Sequence, residues 1–308
     1  MKPAAASEPG LIDDRCRAYL ETVSHLRERL HQYCARLTGS TLDGEDVMQE
    51  ALMESYRKLD TLENTDSLAA WIFRIAHNRA MDLMRRRRPA ADAEIAEVPA
   101  EEPRVRDEAG VRRAIERLVI YLPAMERACV LLKDVFDYQL VEIAEVVGST
   151  VGGVKSALNR GRAKLADLPS GEIRRRAVHD PRRLELLQLY VERFNQQDWD
   201  GVRALTSDDA RLKVADCFVG KLADSPYFQE YASSVPWLAR LVVFENEEVI
   251  LIERVRNDRT EPLSVVRIET ADAIEVVRDY YACPWILACV QSAAAGWSPG
   301  TQSRKRFG

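Results

Sequence analysis

Paired cysteines are missing from this sequence. Cys16, Cys34, Cys129, Cys217, Cys283 and Cys289 show no C-x-x-C spacing. That excludes a disulfide frame and a zinc site of ordinary ligand spacing, and the six are expected to be buried thiols in a reducing compartment. Histidine is scarce too: His25, His31, His77 and His179 are the only four, so the last third has none for acid–base work. No apolar run approaches the roughly 20 residues of a membrane span. The first nine residues lack the apolar core of a signal peptide. Net positive charge is also lacking. At −5 overall, any nucleic-acid binding must come from local patches rather than from the whole surface. The expectation is a cytoplasmic protein with no membrane partner, metal or cofactor.

What the sequence does have is a concentration of cations. Trp71-Ile72-Phe73-Arg74-Ile75-Ala76-His77-Asn78-Arg79-Ala80-Met81-Asp82-Leu83-Met84 runs into Arg85-Arg86-Arg87-Arg88. The pattern predicts a helix that is apolar on one side, basic on the other, and ends in guanidinium groups. Such a helix end suits a polyanion. The competing reading of Arg85–Arg88 is a solubilising helix end that complements the helix dipole. Pro89 is expected to stop this helix and Ser67 to cap its start. Upstream, Leu26, Leu30, Tyr33 and Leu37 fall at helical spacing until Thr38-Gly39-Ser40. Asp43 is expected to cap the next helix, in which Val47, Ala51 and Leu52 lead on to Tyr56 and Leu59 closes the run.

A second cationic helix follows later in the chain. Leu140, Ile143, Ala144 and Val147 form one apolar face, and Gly148 stands where a sharp turn needs positive φ. Ser149 or Thr150 can cap the helix after it. Val151, Val154, Ala157 and Leu158 then pack inward and leave Lys155, Ser156, Asn159, Arg160 and Arg162 outside. This is the layout of a helix-turn-helix, with donors that suit guanine, adenine or phosphate. A plain helical hairpin with a solvated basic face is the alternative.

The domain boundaries follow from composition. A helical module is expected over 11–88, an acidic linker over 89–110, a second helical module over 111–168 and another linker over 169–181. From 182 to 297 the pattern changes. An amphipathic helix (182–195) and a short helix (200–205) precede β-like runs at 210–214, 241–244, 249–255, 263–268 and 274–281. That order predicts an α+β domain. Residues 298–308 form a basic tail.

These motifs resemble a family. Gly44-Glu45-Asp46-Val47-Met48-Gln49-Glu50-Ala51 is similar to the region 2 helix of bacterial sigma factors of the extracytoplasmic-function class. Trp71–Asp82 with the arginines is similar to their promoter-melting and −10 segment. Leu122-Pro123-Ala124-Met125-Glu126-Arg127-Ala128, with 142–148 and 151–156, is similar to region 4. The resemblance implies a multidomain protein: all-α sigma regions 2 and 4, then an α+β module. It implies that Asp46, Gln49, Glu50 and Glu54 face core RNA polymerase. It further implies that the loop 58–66, beginning with Lys58, takes a flipped base, and that Asn78, Arg79, Asp82, Arg85 and Arg86 contact the −10 element. Ser149, Thr150, Lys155, Ser156, Asn159, Arg160 and Arg162 would read the −35 element. Asp137 stands where this family commonly has glycine.

Residues 186–212 resemble the opening of SnoaL-like cones, and some sigma factors of this class carry such a domain behind region 4. There it would tune activity, through contact with the sigma regions or a small-molecule ligand. Trp199, Tyr227, Phe228, Trp237, Tyr280, Tyr281 and Trp285 are candidates to line a pocket, though ordinary core packing explains each. Asp216 and Asp224 are the nearest acid candidates, and no histidine accompanies them, so no enzyme is expected. The competing functions are a stand-alone helix-turn-helix regulator with a ligand-binding domain, and an isomerase- or hydrolase-type enzyme.

Overall fold

The computed structural model describes residues 14–62, 67–87, 95–98, 121–167, 172–175, 180–232, 236–256 and 259–295. The chain forms two compact units, 1–175 and 176–308. Helix α1 (Asp14–Thr38) buries Leu26, Leu30, Tyr33 and Leu37 at the expected helical spacing. Gly39, at φ 81, ends it in a geometry that favours glycine. Helix α2 (Thr41–Arg57) is capped by Ser40, whose hydroxyl accepts from the Asp43 amide. The expected cap Asp43 instead sits in the first turn, where its charge suits the helix dipole. Tyr56 is 56% exposed, and its ring leans on Tyr19.

Helix α3 (Leu68–Arg87) packs Ile72, Phe73, Ala76 and Ala80 against the first two helices. The histidines of this module are partly structural. His77 Nδ1 lies 2.8 Å from Tyr33 Oη, and burial lowers its pKa to about 4. The stop at Pro89 and most of the acidic linker lie outside the described residues.

In the second half of the first unit, α4 (Ala124–Val130) runs into a single π-helical turn (Leu131–Val135). Asp137 follows at φ 55, so it adopts the left-handed geometry that favours glycine, which Asp tolerates. Helices α5 (Leu140–Val147) and α6 (Val151–Ala166) are joined by Gly148 at φ 66, ψ 42. Thr150, not Ser149, caps α6 by accepting from the Gly153 amide at 3.0 Å. The expected helical start at 111–120 lies outside the described residues. Both segments read as linkers carry a strand: β1 (Ile95–Val98) and β2 (Glu172–Arg175) pair antiparallel, Ile95 opposite Arg175. Backbone hydrogen bonding there needs no apolar face, which is why composition does not disclose it.

The second unit is α+β. Its sheet has the order β4-β3-β8-β7-β6-β5, from β3 (Thr206–Val214), β4 (Phe218–Lys221), β5 (Trp237–Phe244), β6 (Glu247–Arg256), β7 (Arg259–Thr270) and β8 (Ile274–Asp279). All neighbours are antiparallel except β3 and β8. Helices α7 (Pro181–Asn195), α8 (Trp199–Arg203) and α9 (Tyr227–Tyr231) share one core with the sheet, built on Leu187, Tyr190, Phe194, Val202, Ile250, Ile252, Val266 and Val277. Successive residues of a strand face opposite sides. Val249 and Leu251 are therefore buried on the other face, where α10 (Pro284–Ala295) packs against β7 and β5. That two-sided burial explains the unbroken run Val249–Ile252, which alternation alone would not give.

Three cysteines are buried as expected (Cys34, Cys129, Cys283). Cys217 and Cys289 are exposed and Cys16 is half-buried, so the expectation of six buried thiols is corrected. Among the described residues no helix is long and apolar enough to cross a membrane.

Helix α1 meets α2 at Gly44. A Cβ built there would lie 2.5 Å from the Ala35 backbone, which cannot move aside as a flexible side chain can. Gly44→Ala is expected to destabilise the first unit by about 1–3 kcal/mol through overpacking. A denaturant midpoint equal to that of the parent chain would contradict the close helix approach.

Candidate nucleic-acid interface

A cleft of about 430 Å3 opens between α2 and α3. It is lined by Glu54, Lys58, Trp71, Arg74, Ile75, Asn78, Arg79 and Asp82. The α3 members recur every three or four residues, so they stand on one helical face. Trp71, Arg74 and Ile75 were not singled out from sequence, although that same spacing marks them. Lys58 Nζ donates to Glu54 Oε1 at 2.6 Å, and Arg79 Nε donates to Glu54 Oε2 at 2.7 Å. The Lys58 bond first, and Arg79 after it, hold the Glu54 carboxyl below its usual range. Glu54, grouped by resemblance with the polymerase-facing acids, thus shares its cleft with the DNA-facing set.

The remaining expected residues of this module are distributed around the cleft. Arg85 and Arg86 are exposed, and Arg85 reaches Asp82 at 3.3 Å. Glu50 is exposed on α2, while Asp46 is half-buried. Gln49 turns inward and donates to Glu45, a fully buried carboxylate.

On α6, Lys155, Ser156 and Asn159 are exposed and continuous with Ser149 and Thr150 at the turn. Gly153 leaves room for the Ser149 hydroxyl, which a Cβ there would approach to 2.5 Å. Arg160 and Arg162 differ from these. Arg160 Nε donates to Glu126 at 3.0 Å, and Arg162 donates through two nitrogens to Asp134. Both are held by carboxylates of the preceding segment, a pairing that no local sequence pattern discloses.

The two halves of the first unit pack together. Arg127 Nη1 donates to Leu37 O at 2.6 Å and its Nη2 donates to Leu122 O at 3.0 Å. Arg29 donates to Phe136 O at 2.7 Å. The Phe136 ring meets Tyr33 edge-on, and Tyr138 meets Phe73.

In the second unit the expected acids Asp216 and Asp224 are exposed. The most deeply buried carboxylate of the described residues of this unit is Asp279, at the end of β8, ahead of Glu248 and Glu253. It accepts from Tyr227 Oη at 2.6 Å, from Tyr231 Oη at 2.9 Å and from Ser264 Oγ. Burial pushes its pKa up, against the pull of the three hydroxyls. Around it the candidate pocket aromatics pack on one another: Trp199 with Phe194 and Phe228, Tyr231 with Trp237. Tyr281 lies outside this group and is 43% exposed.

A helical module with a cation-lined cleft is followed by a helix-turn-helix with an exposed polar face, and the two modules match two regions of one protein class. Residues 22–90 match the family described as Sigma-70 region 2, and residues 112–165 match Sigma-70, region 4. The chain is 31% identical over 142 residues to the ECF RNA polymerase sigma factor SigM of Mycobacterium tuberculosis, covering 46% of this chain and 71% of SigM. It is 29% identical over 227 residues to SigG of the same organism, covering 64% of this chain and 61% of SigG. Among solved structures, the extracytoplasmic function sigma factor SigJ of M. tuberculosis aligns over 86% of this chain and 96% of its own, at 17% identity and a TM-score of 0.35. The chain belongs to the ECF RNA polymerase sigma factor family. It spans about three fifths of the length of the SigG relative.

The raised pKa of Asp279 has a consequence in solution. A carboxyl raised in the folded state stabilises most below its unfolded value of about 3.9, and that contribution is lost as pH rises through the folded pKa. Asp279→Asn removes the group. The Tm difference between variant and parent is expected to shift in the variant's favour as pH rises above 4. A difference constant with pH would contradict the raised pKa.

Proposed function

We propose that this chain is the promoter-specificity subunit of a bacterial RNA polymerase. It binds core polymerase and directs initiation at promoters whose −10 element meets α3 and whose −35 element meets α6. The observation that carries this reading is the cleft between α2 and α3. It offers an indole (Trp71), an exposed amide (Asn78) and the exposed cation Arg74 in one recess, beside the Glu54-bound Lys58 and Arg79, which suits a flipped, stacked base and its phosphates. Arg85 and Arg86 extend the cationic surface along the helix, where phosphates release counterions. The outer face of α2, with exposed Glu50 and half-buried Asp46, is assigned to polymerase. The exposed N-terminal half of α6 supplies Lys155, Ser156 and Asn159 to the major groove. Acting on bacterial promoter DNA, the protein would work in the cytoplasm.

The proposal requires the halves of the first unit to part. Elements named for −35 and −10 lie roughly 25 base pairs apart, about 85 Å along B-DNA at roughly 3.4 Å per pair. Helices that share ring contacts and a buried guanidinium cannot span that distance together. The second unit is proposed to be regulatory rather than catalytic, because its buried carboxylates among the described residues are all engaged within the fold: Asp279 by three hydroxyls, Glu248 by Arg183 and Glu253 by Arg240.

Run-off transcription with core polymerase tests the reading. The full chain and a chain ending after Arg175 are assayed on a bacterial promoter library. A promoter-specific transcript from at least one form is expected, at a level that differs between the two. No transcript from either form would overturn the proposal.

A further inference from the structure

Helix α6 carries four cations, Lys155, Arg160, Arg162 and Lys164, and three of them are answered from within the fold. Glu126 of α4 is 6% exposed and stands between two of them. Its Oε1 accepts from Arg160 Nε at 3.0 Å and its Oε2 accepts from Lys164 Nζ at 2.8 Å. Asp134, on the π-helical turn, takes Arg162 through two nitrogens. Gly161 makes the close approach possible, since a Cβ there would lie 2.9 Å from Val130 Cγ2 and 3.5 Å from Glu126 Cβ. Arg160 and Lys164, one turn apart, therefore straddle a single buried carboxylate. Burial pushes the Glu126 carboxyl up, but the bonds from Lys164 and Arg160 outweigh it and keep the group ionised. Lys155 alone among the four has its place in the N-terminal half of the helix, beside Ser156 and Asn159.

This arrangement divides the helix by function. A DNA-reading helix with all its cations on phosphates binds any duplex, because phosphate contacts carry affinity without sequence information. We infer that Glu126 is a specificity-setting positioning residue: it acts as an internal counterion that withholds Arg160 and Lys164 from DNA phosphates, leaving the N-terminal half of α6 to make the discriminating contacts. Asp134 does the same for Arg162 on the other flank. Neither acid touches DNA. Both act through the arginines and lysine that they hold. The inference rests on the reading of α6 as a DNA-binding helix, and it reassigns Arg160 and Arg162 from base contact to anchoring.

The test is the salt dependence of binding to a random-sequence duplex, measured by fluorescence anisotropy with the purified full chain. Each phosphate contact adds about 0.9 to the slope of log K against log salt. Glu126→Gln frees two cations, so its slope is expected to steepen by about 0.9 to 1.8, with tighter binding at low salt. Glu126→Asp keeps the charge and is expected to stay near the parent slope. Glu145→Gln, which removes an exposed carboxylate of α5, is expected to leave the slope unchanged, which separates a specific counterion from a generic loss of negative charge.

A fourth variant covers the case in which Glu126→Gln does not fold. Lys164→Ala is expected to keep the parent slope, since Lys164 already has its partner, whereas Lys155→Ala lowers the slope by about 0.9. A parent-like slope in folded Glu126→Gln, or a slope lowered by Lys164→Ala, overturns the inference while leaving the DNA-binding reading intact. Absence of any duplex binding by the parent chain at low salt overturns both.

Discussion

The first unit depends on the guanidinium of Arg127. It sits at the start of region 4 and reaches back to the carbonyl of Leu37, in the last turn of α1. The last carbonyls of a helix have no partner within it and carry the negative end of its dipole. A cation placed there satisfies both needs, and in this protein the cation comes from a different module. The neighbouring residue, Glu126, points the other way and fixes α6. One dipeptide thus closes region 2 and orients region 4. Removing the guanidinium would leave Leu37 O and Leu122 O to find other donors in a buried site, where an unmade hydrogen bond costs about 1–3 kcal/mol.

Cations in this protein fall into two groups, and the distinction is made by carboxylates rather than by sequence. Arg79, Arg160, Arg162 and Lys164 have acids across a helix–helix contact. Arg86 and Lys155 have no such acid among the described residues, although Arg160, Arg162 and Lys164 are exposed as they are, so pairing and not burial separates the groups. An acidic protein can bind a polyanion only if its free cations are gathered on particular faces, and a net charge of −5 makes that gathering necessary. Under the proposed function, the same partition would let α3 and α6 face DNA without turning the whole chain into a non-specific binder.

Much of this was legible in the chain. Gly148, Thr150 and the apolar positions of α5 and α6 give the helix-turn-helix by turn chemistry and period alone. The strands β3, β5, β6, β7 and β8 follow from their apolar runs. The features that escaped share one property, a partner distant in sequence. Glu54 and Arg79 are 25 residues apart, Glu126 and Arg160 are 34, and Tyr227 and Asp279 are 52. Short β4 and the β1–β2 ribbon escaped because four-residue strands carry almost no periodic signal. Asp279 was not among the acid candidates, since its hydroxyl partners come from β7 and from α9, a five-residue helix itself unforeseen.

The account stands on regions 2 and 4 being joined through Arg127 and the Tyr33–Phe136 and Phe73–Tyr138 ring contacts in the free chain, and parted on a promoter. The direct measurement is a pulsed electron resonance distance between spin labels at Arg57→Cys and Ala163→Cys, with the exposed Cys217 and Cys289 replaced by serine. The account predicts one short, narrow distribution for the free chain, and one longer by tens of ångströms with core polymerase and promoter DNA. The same distribution in both states would contradict it.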